Sequence, residues 1–300
     1  MNAVVQQQPL ARIIECTEAE YFADPCEVPS LSQSIAHELL TKSPLHAWTI
    51  HPRLGKAANA DESNGSDEED DTAALADGKI IHKLLLGSGA EVEVIDGFDN
   101  FKKKAAQEAR DFARAMGRVP ILRRKYDALV ETADALRSGL EYDHGIKLDG
   151  QSEIAFEWDE QGERGPARCR GRMDHVKIDA GIILDVKKIR SAHPDMCRKH
   201  METYGYDIQW AAYTSALAKF RPELQGRVDM RFLFLELDPP YAITPITPSG
   251  QMREIGQTRW QRAVDLWGRC MATNRWPAYT DRTISLEPSP WFLQRELGAY

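Results

Sequence analysis

The stretch from Ala167 to Lys188, with the sequence ARCRGRMDHVKIDAGIILDVKK, constrains the fold more than any other part of the chain. Residues 168–178 have the composition of an extended strand, and the tripeptide Asp179-Ala180-Gly181 is typical of a turn. Residues 182–187 form a short apolar run that ends in charge. The stretch therefore predicts a β-hairpin.

Three charged side chains fall at adjacent positions of this hairpin. Because side chains alternate along a strand, Asp185 and Lys187 are predicted on one face, with Val186 turned into the core. Asp174 lies on the partner strand, within cross-strand reach of Asp185 if the turn is tight. Burying two carboxylates and an ammonium is costly without a partner, and a divalent cation is a partner that suits oxygen ligands. The hairpin therefore predicts a metal site.

The composition is that of an ordinary globular protein with one large domain or two small ones. Of its 300 residues, 42% are apolar and 28% are charged, which is enough for a sizeable core. No apolar run reaches membrane-spanning length, and the N-terminal sequence lacks a basic start and an apolar signal core. We expect a cytoplasmic protein without membrane association. The five scattered cysteines form no CxxC pair, which favours reduced structural thiols over a zinc or iron–sulfur site.

The formal charge of −8 is unevenly distributed along the chain. The segment Asp61–Asp71 holds seven acidic residues and no basic ones, and the low-complexity sequence around it predicts a disordered insert at 56–73. The segment Phe101–Lys125 holds nine basic and two acidic residues. Within it Arg110, Arg114 and Arg118 recur every four residues and so form one stripe on a helix. Such a stripe is more often a solvated helix face than a phosphate contact, but the lysines 102–104 beside it favour the second interpretation, and both stay open. The candidate DNA-binding residues are Lys102, Lys103, Lys104, Arg110 and Arg114.

Further patterns along the chain predict an α/β fold. Residues 1–29 are predicted to be a poorly structured extension with a short strand near 11–16, followed by a single domain over 30–300. The order of helices, three strands, a helix, two strands and a helix implies a mixed central β-sheet flanked by helices. The predicted helices cover 34–40, 74–86, 101–117, 123–138, 193–220 with a weak point at Gly205, and 250–275. The predicted strands cover 151–158, 168–178, 182–187, 228–237 and 241–247.

Four residues outside the hairpin complete the candidate site. Taken alone, Glu153 fits an exposed strand residue, and His82 fits a hydrogen-bonded core histidine. Gln209 and Tyr213 lie one helical turn apart and share a face, which is a common arrangement. Their order along the chain, combined with the hairpin, makes the case for a shared site.

The order His, Glu, Asp, Asp-x-Lys and Gln-x-x-x-Tyr resembles the PD-(D/E)XK nucleases in their RecB-like branch. It is most similar to the nuclease domain of RecE (exonuclease VIII) of phages and prophages. The departures are Lys188-Ile189, where Thr-Thr or Thr-Arg is usual, and the acidic insert between the first helices. The stretches that carry the resemblance are SLSQSIAHELLTKSPLHAW, ADGKIIHKLLLG, EIAFEW, CRGRMDHVKIDAGIILDVKKIRSAHP and YGYDIQWAAY, from about residue 30 to 215.

The resemblance implies a restriction-endonuclease-like core and a role for each matched residue. Lys187 would position or deprotonate the attacking water and offset charge on the phosphate, while Gln209 and Tyr213 would orient the lysine or the scissile strand. Such oxygen-rich sites suit Mg²⁺, with Mn²⁺ as a substitute, better than zinc. The implied metal ligands, direct or through water, are His82, Glu153, Asp174, Asp185 and the Val186 carbonyl. The implied catalytic residues are Glu153, Asp174, Asp185, Lys187, Gln209 and Tyr213.

The activity implied by the resemblance is Mg²⁺-dependent exonuclease action on duplex DNA ends. It would proceed 5′→3′ and leave 3′ single strands for recombination by annealing, with a phage-type annealing protein as partner. A homo-oligomer, a tetrameric ring, is also implied. The alternatives are a DNA endonuclease of the same fold and a catalytically inactive DNA-binding scaffold. A metal-binding protein without nucleic-acid chemistry fits the net charge but not the basic segment Phe101–Lys125.

Overall fold

This computed structural model describes residues 11–55 and 69–298, except for the side chains of 69–74. The described part of the chain contains two β-sheets and ten α-helices. Six strands form one sheet in the order β1-β4-β5-β6-β7-β8, in which β6 and β7 are parallel and the other neighbours antiparallel. The parallel pair β2–β3 stands apart. The strands are β1 (Ala11–Ile14), β2 (Val92–Ile95), β3 (Val119–Leu122), β4 (Gln151–Gly162), β5 (Gly165–Lys177), β6 (Ile182–Lys188), β7 (Asp229–Leu235) and β8 (Ile243–Ile246).

Helices cover both faces of the six-stranded sheet, which confirms the predicted mixed sheet flanked by helices. None of the helices in the described ranges combines the length and the apolar character needed to cross a membrane. They are α1 (Glu18–Phe22), α2 (Gln33–Thr41), α3 (Pro44–Ile50), α4 (Glu69–Leu86), α5 (Lys104–Ala115), α6 (Arg123–Tyr142), α7 (Pro194–Tyr204), α8 (Tyr206–Phe220), α9 (Gly250–Thr273) and α10 (Pro290–Leu297).

Strand alternation divides the core into two parts. Phe232 and Phe234 of β7 pack into a cluster with α2, α8 and α9, whereas Leu233 and Leu235 pack into a second cluster with α4 and α6. A central strand buried on both faces is therefore largely apolar, and in β7, with the sequence DMRFLFL, only Asp229 and Arg231 are polar. The helix α4 is fixed on the second face of the sheet by this packing.

The predicted hairpin is present in β5 and β6. The chain turns through a 3₁₀ segment at Ile178–Ala180 and then Gly181, whose φ of 67° lies in the left-handed region that glycine adopts at low cost. On its other side β5 pairs with β4 in a second hairpin closed between Gly162 and Gly165. The central strand β5 is therefore held by antiparallel partners on both sides.

The prediction of one helix over 193–220 is wrong, because two helices, α7 and α8, occupy this segment. Gly205, the predicted weak point, adopts a φ of 67° and separates α7 from α8. A Cβ atom at this position would lie 2.5 Å from His37 Cδ2, so the close approach of α2 also favours glycine. The break lets α8 run in its own direction across the sheet.

The predicted short strand near 11–16 is present as β1, whereas the prediction that the rest of the first 29 residues is poorly structured is wrong for residues 17–29. Strand β1 pairs with β4, and α1 begins with a capping box between Thr17 and Glu20. Asp24, which follows α1, accepts hydrogen bonds from Ser30 and lies 3.2 Å from Arg170 of β5. These are tertiary contacts, which local patterns do not reveal. The division into an extension and a domain from residue 30 stays a prediction.

Two further predictions need correction. Of the predicted disordered insert at 56–73, residues 56–68 lie outside the described residues, but α4 already begins at Glu69, so the prediction is wrong for 69–73. Acidic residues are favourable in the first turn of a helix, so an acidic composition does not exclude a helix start. The predicted helix over 101–117 is the shorter α5. The sheet of β2 and β3 was not predicted, since Pro120 within β3 argues against a strand.

Candidate active site

Asp174 of β5 lies at a level of the sheet where the strand pairing is interrupted on both sides. The β4–β5 register skips the position at which Glu153 faces Asp174. The β5–β6 register ends at His175 and Leu184, one position before Asp174 would face Asp185. Three acidic residues on three neighbouring strands therefore meet where the backbone ladder is open.

The carboxylate of Asp174 replaces part of the missing backbone pairing. Its Oδ2 atom accepts a hydrogen bond of 2.9 Å from the backbone N–H of Val186. This bond fixes the orientation of the Asp174 side chain and explains why the two strands can separate without leaving that N–H group unpaired. Metal ligation by the Val186 carbonyl stays a prediction.

Glu153 adopts an unusual backbone conformation for a residue in a strand. Its φ of 59° lies in the left-handed region, which costs a non-glycine residue about 1–2 kcal/mol. One carboxylate oxygen, Oε1, lies 3.2 Å from His82 Nδ1, and the other, Oε2, lies 2.7 Å from Arg172 Nε. Backbone strain that is maintained at a cluster of charged groups is typical of functional sites. It favours a functional role for Glu153 over that of an ordinary exposed strand residue.

His82, Glu153 and Asp174 form what we call the metal-site group. The imidazole of His82, on α4, bridges the two carboxylates, with Nδ1 facing Glu153 and Nε2 lying 3.3 Å from Asp174 Oδ2. One potential ligand atom from each residue lies within 4.8 Å of the other two. The structure therefore brings three of the predicted metal ligands together on the surface of one cleft.

The charges of the metal-site group depend on one another. Burial alone would lower the pKa of His82, but the hydrogen bond to Asp174 and the charges of the carboxylates outweigh it and raise that pKa. Burial would raise the pKa of Asp174, but His82 and Lys187 outweigh it and lower it. Burial raises the pKa of Glu153 more than the charges of Arg172 and His82 lower it. Positive charge is therefore favourable at this position of the cleft.

Asp185 lies beside the metal-site group but outside the set whose ligand atoms are within 4.8 Å. Its side chain is 1% exposed, and its Oδ2 accepts a hydrogen bond of 2.5 Å from Gln209 Nε2. The ammonium of Lys187 lies 2.5 Å from the other oxygen, Oδ1, so the two side chains form a largely buried ion pair. Burial and the charge of Asp174 raise the pKa of Asp185 to about 6, although Lys187 and Gln209 act against this.

Lys187 is held in place from two directions. Its Nζ atom contacts Asp185 and lies 4.5 Å from the centre of the Tyr206 ring, a cation–π contact. Burial would lower the pKa of Lys187, but the charge of Asp185 outweighs it and raises the pKa. Lys187 is therefore an ammonium ion in this arrangement. Tyr206 was missed in the sequence, where its position next to Gly205 at the start of a helix was the available signal.

Tyr213 and Gln209 share one face of α8, as their spacing predicts. Gln209 reaches Asp185, whereas Tyr213 is buried against β5, where a Cβ atom on Gly171 would lie 2.6 Å from Tyr213 Cε1. Burial raises the pKa of the Tyr213 phenol well above its usual value. The ring of Tyr213 can therefore lie beside the site only because Gly171 has no side chain.

Replacing Gly171 by alanine is expected to destabilise the protein by about 1–3 kcal/mol, because the methyl group overpacks the Tyr213 ring. Urea unfolding measures the change. Gly250→Ala is the matched control, since a methyl group there, in the first turn of α9, would have no described atom within 4 Å. Equal stability of the two variants would contradict the close packing of Tyr213 on β5.

Two neighbouring clefts meet at the site. One, of about 950 Å³, includes the metal-site group, and the other, of about 460 Å³, extends toward α2 and α8. Lys79, Lys188 and Arg190 line the larger cleft and contribute positive charge. The residues that line both clefts are Phe22, Arg172, Asp174, Lys187 and Tyr204.

The predicted DNA-binding stripe lies elsewhere. None of its residues lines either cleft, among the side chains that the structure describes. Arg110 Nε donates to the neighbouring Asp111, and Lys104 lies 3.8 Å from Glu108 on the same helix. These contacts are those of a solvated helix face, so DNA binding there stays a prediction. The residues of this prediction are Lys102, Lys103, Lys104, Arg110 and Arg114.

The donor set fits a hard divalent cation. Glu153 and Asp174 place two carboxylates on either side of the His82 imidazole, and one ligand atom from each of the three residues lies within 4.8 Å of the others. Carboxylates this close together are held most favourably by a positive charge between them, which a metal ion would supply. Carboxylates with one imidazole suit Mg²⁺ or Mn²⁺.

Comparison with known proteins agrees with this fold. The structure of a candidate exonuclease from Eubacterium rectale superposes with a TM-score of 0.56 at 13% identity, over 95% of this chain and 100% of that chain. At this identity the likeness shows the fold. A phage-related exonuclease from Haemophilus somnus 129PT is also 13% identical, over 84% of this chain and 99% of that chain, but its TM-score of 0.32 supports no argument. No curated protein matches the sequence.

A protein-family model provides the assignment that structural likeness alone cannot. The model described as PDDEXK-like domain of unknown function (DUF3799) matches residues 51–286. The match includes the metal-site group and the Asp185-Val186-Lys187 strand, and it confirms the resemblance at the level of the PD-(D/E)XK nucleases. The chain therefore belongs to the PDDEXK-like domain family.

Proposed function

We propose that the protein is a divalent-metal-dependent exodeoxyribonuclease that hydrolyses phosphodiesters at duplex DNA ends. The observation that carries this proposal is the convergence of the metal-site group with Asp185 and Lys187 where the sheet opens. The family and the fold support nuclease function at a coarser level. Preference for ends over internal sites rests on the sequence resemblance.

The residues divide into those that would hold a metal ion and those that act around it. His82, Glu153 and Asp174 would hold Mg²⁺ or Mn²⁺, with Asp185 beside them. A bound ion of this kind would lower the pKa of a coordinated water and stabilise negative charge on the phosphate. Lys187, as an ammonium at the same cleft, offsets charge that develops on the phosphate.

The neighbours of Lys187 and Asp185 act by positioning. Gln209 fixes Asp185 through one carboxylate oxygen, and Tyr206 holds Lys187 through its ring. Tyr213 packs against β5 beside them and supports the strand that carries Asp174. Groups that are already oriented before the substrate binds lower the cost of reaching the transition state.

Finer features of the proposal rest on the resemblance to the RecE nuclease domain. They are 5′→3′ polarity, production of 3′ single-stranded tails for recombination, a phage-type annealing partner and a tetrameric ring. A ring would keep the enzyme on its substrate, which suits an enzyme that digests from an end. The preference for Mg²⁺ over Mn²⁺ is part of the same proposal.

Incubation with linear and with covalently closed circular duplex DNA tests the function. We expect Mg²⁺-dependent loss of the linear form only, abolished by a chelator because the carboxylates then lack their cation. Gel electrophoresis and release of acid-soluble nucleotides give the measurement. Nicking of the circle would instead support an endonuclease. DNA binding without cleavage of either form would support an inactive scaffold.

A further inference from the structure

Arg172 occupies a central position in the two clefts. It lies on β5 two residues before Asp174, and therefore on the same face of the strand. Its side chain is 19% exposed and lines both clefts. The spacing of two residues from Asp174 was the sequence signal for this position, and sequence reasoning missed it.

The guanidinium of Arg172 is held in a fixed orientation. It lies over two rings of α1, 5.2 Å from the centre of Tyr21 and 5.3 Å from that of Phe22. Its Nε atom is 2.7 Å from Glu153 Oε2, and its Nη2 donates to Glu18 Oε1 at 3.4 Å. A guanidinium that is already ordered loses little conformational entropy when it binds a further group.

The two oxygens of Glu153 divide its contacts. Oε1 faces His82 in the metal-site group, whereas Oε2 faces Arg172. A cation at the metal-site group can therefore use Oε1 while Arg172 keeps its own contact. An anionic ligand that approaches such a cation in the cleft therefore also lies near the positive charge of Arg172.

The chemistry of the side chain selects the class of ligand. A guanidinium presents several donors in a planar fork, which matches the oxygens of a phosphate, whereas an ammonium acts as a point charge. Lys187 is paired with Asp185 and supplies a single compact charge. Arg172 is paired with Glu153 through Nε and with Glu18 through Nη2, and its Nη1 has no partner among the described residues. Arg172 adds donors that can contact two oxygens of one phosphate.

We propose that Arg172 is a substrate-binding residue that contacts a phosphate of the DNA strand lying in the cleft. The proposal rests on the proposed nuclease function and adds a residue to it. It differs from a role in which Arg172 only braces Glu153. The two roles predict opposite effects on metal binding: removing a nearby positive charge leaves cation affinity unchanged or raised, whereas removing a brace lowers it.

The test compares Arg172→Gln with Arg168→Gln. Arg168 lies on the same strand, is similarly buried, contacts the carboxylates of Glu157 and Asp159, and does not line either cleft. Binding of a blunt duplex oligonucleotide is measured by fluorescence anisotropy with Ca²⁺ in place of Mg²⁺, as a function of salt. Binding of Mn²⁺ to the protein alone is measured by calorimetry.

We expect Arg172→Gln to weaken oligonucleotide binding by about 10- to 100-fold and to reduce the salt slope by about one. Its Mn²⁺ affinity should equal or exceed that of the wild type, and Arg168→Gln should behave like the wild type in both assays. If Arg172→Gln does not fold, Arg172→Lys makes the same comparison, with a loss of about threefold or more because lysine lacks the fork.

Two results would overturn the proposal. One is oligonucleotide binding by Arg172→Gln within about twofold of Arg168→Gln. The other is a fall in Mn²⁺ affinity that parallels the fall in DNA binding, since this shows a brace for Glu153. Failure of the proposed function is seen separately, because the wild-type protein would then leave linear duplex DNA uncleaved in the presence of Mg²⁺, whether or not it binds the oligonucleotide.

Discussion

Asp174→Asn is expected to reduce cleavage of linear duplex DNA by at least about 10³-fold. Several kcal/mol of transition-state stabilisation depend on a metal ion held in place, and each 1.4 kcal/mol is about tenfold in rate. Asp174 contacts His82 and is the register neighbour of both Glu153 and Asp185, so its charge is central to the site. Asparagine keeps an oxygen that can accept from the Val186 N–H group. Single-turnover kinetics with Mg²⁺ give the rate.

The control for this substitution is Asp179→Asn. Asp179 follows the same strand, but its side chain is 93% exposed and pairs with Arg221 far from the cleft. We expect wild-type cleavage by the control and a near-wild-type melting temperature for both variants. Mn²⁺ affinity should fall for Asp174→Asn only. A rate loss below tenfold, with metal affinity unchanged, would show that the metal-site group has been misassigned.

Asp24→Ala is expected to destabilise the protein by about 3–5 kcal/mol, the cost of leaving one partner of a buried ion pair alone. Arg170 is 5% exposed at its side chain and lies 3.2 Å from Asp24, while Ser30 donates two hydrogen bonds to the same carboxylate. Removing the carboxylate leaves the buried guanidinium of Arg170 without its ion-pair partner and the two Ser30 donors without their acceptor. For a domain of this size the melting temperature should fall by roughly 10 °C. Scanning calorimetry measures it.

The pH dependence of stability provides a second measurement on Asp24. Burial would raise its pKa, but His51, Arg170 and Ser30 outweigh burial and lower the pKa to about 2. Since an unfolded aspartate titrates near about 3.9, the stabilisation is complete above about pH 4 and is lost as the pH falls through about 2. The difference between the wild type and Asp24→Asn should therefore shrink over that interval. Glu27→Gln, a change of an exposed side chain in the same segment, is the control, and an equal loss of stability there would contradict the role of Asp24.

The parts of the fold that follow from local chemistry were predictable. The turn at Asp179-Ala180-Gly181 depends on residues that favour it wherever they occur, and Gly181 adopts the positive φ that such a turn requires. Alternation along β6 placed Asp185 and Lys187 on one face, as the structure shows by their contact. Gly205 was predicted as a weak point of its helix because glycine disfavours a helix interior, and the helix does break there.

The parts that depend on distant contacts were not predictable. The backbone of Glu153 is strained at a φ of 59°, and its partners His82 and Arg172 come from other elements, so no property of the local sequence reveals it. The short strand β1 was predicted, but the helix α1 that follows it has only five residues and is too short to show periodicity. Asp24 meets Arg170 only after the chain has folded.

Strand β1 has a further consequence for any shortened form of this protein. It is the outermost strand of the sheet, and its four residues cover the backbone of β4 from Ala155 to Trp158. A version starting at residue 30 would expose those N–H and C=O groups on a long strand. An uncovered strand edge recruits other chains, so such a version would self-associate through β4.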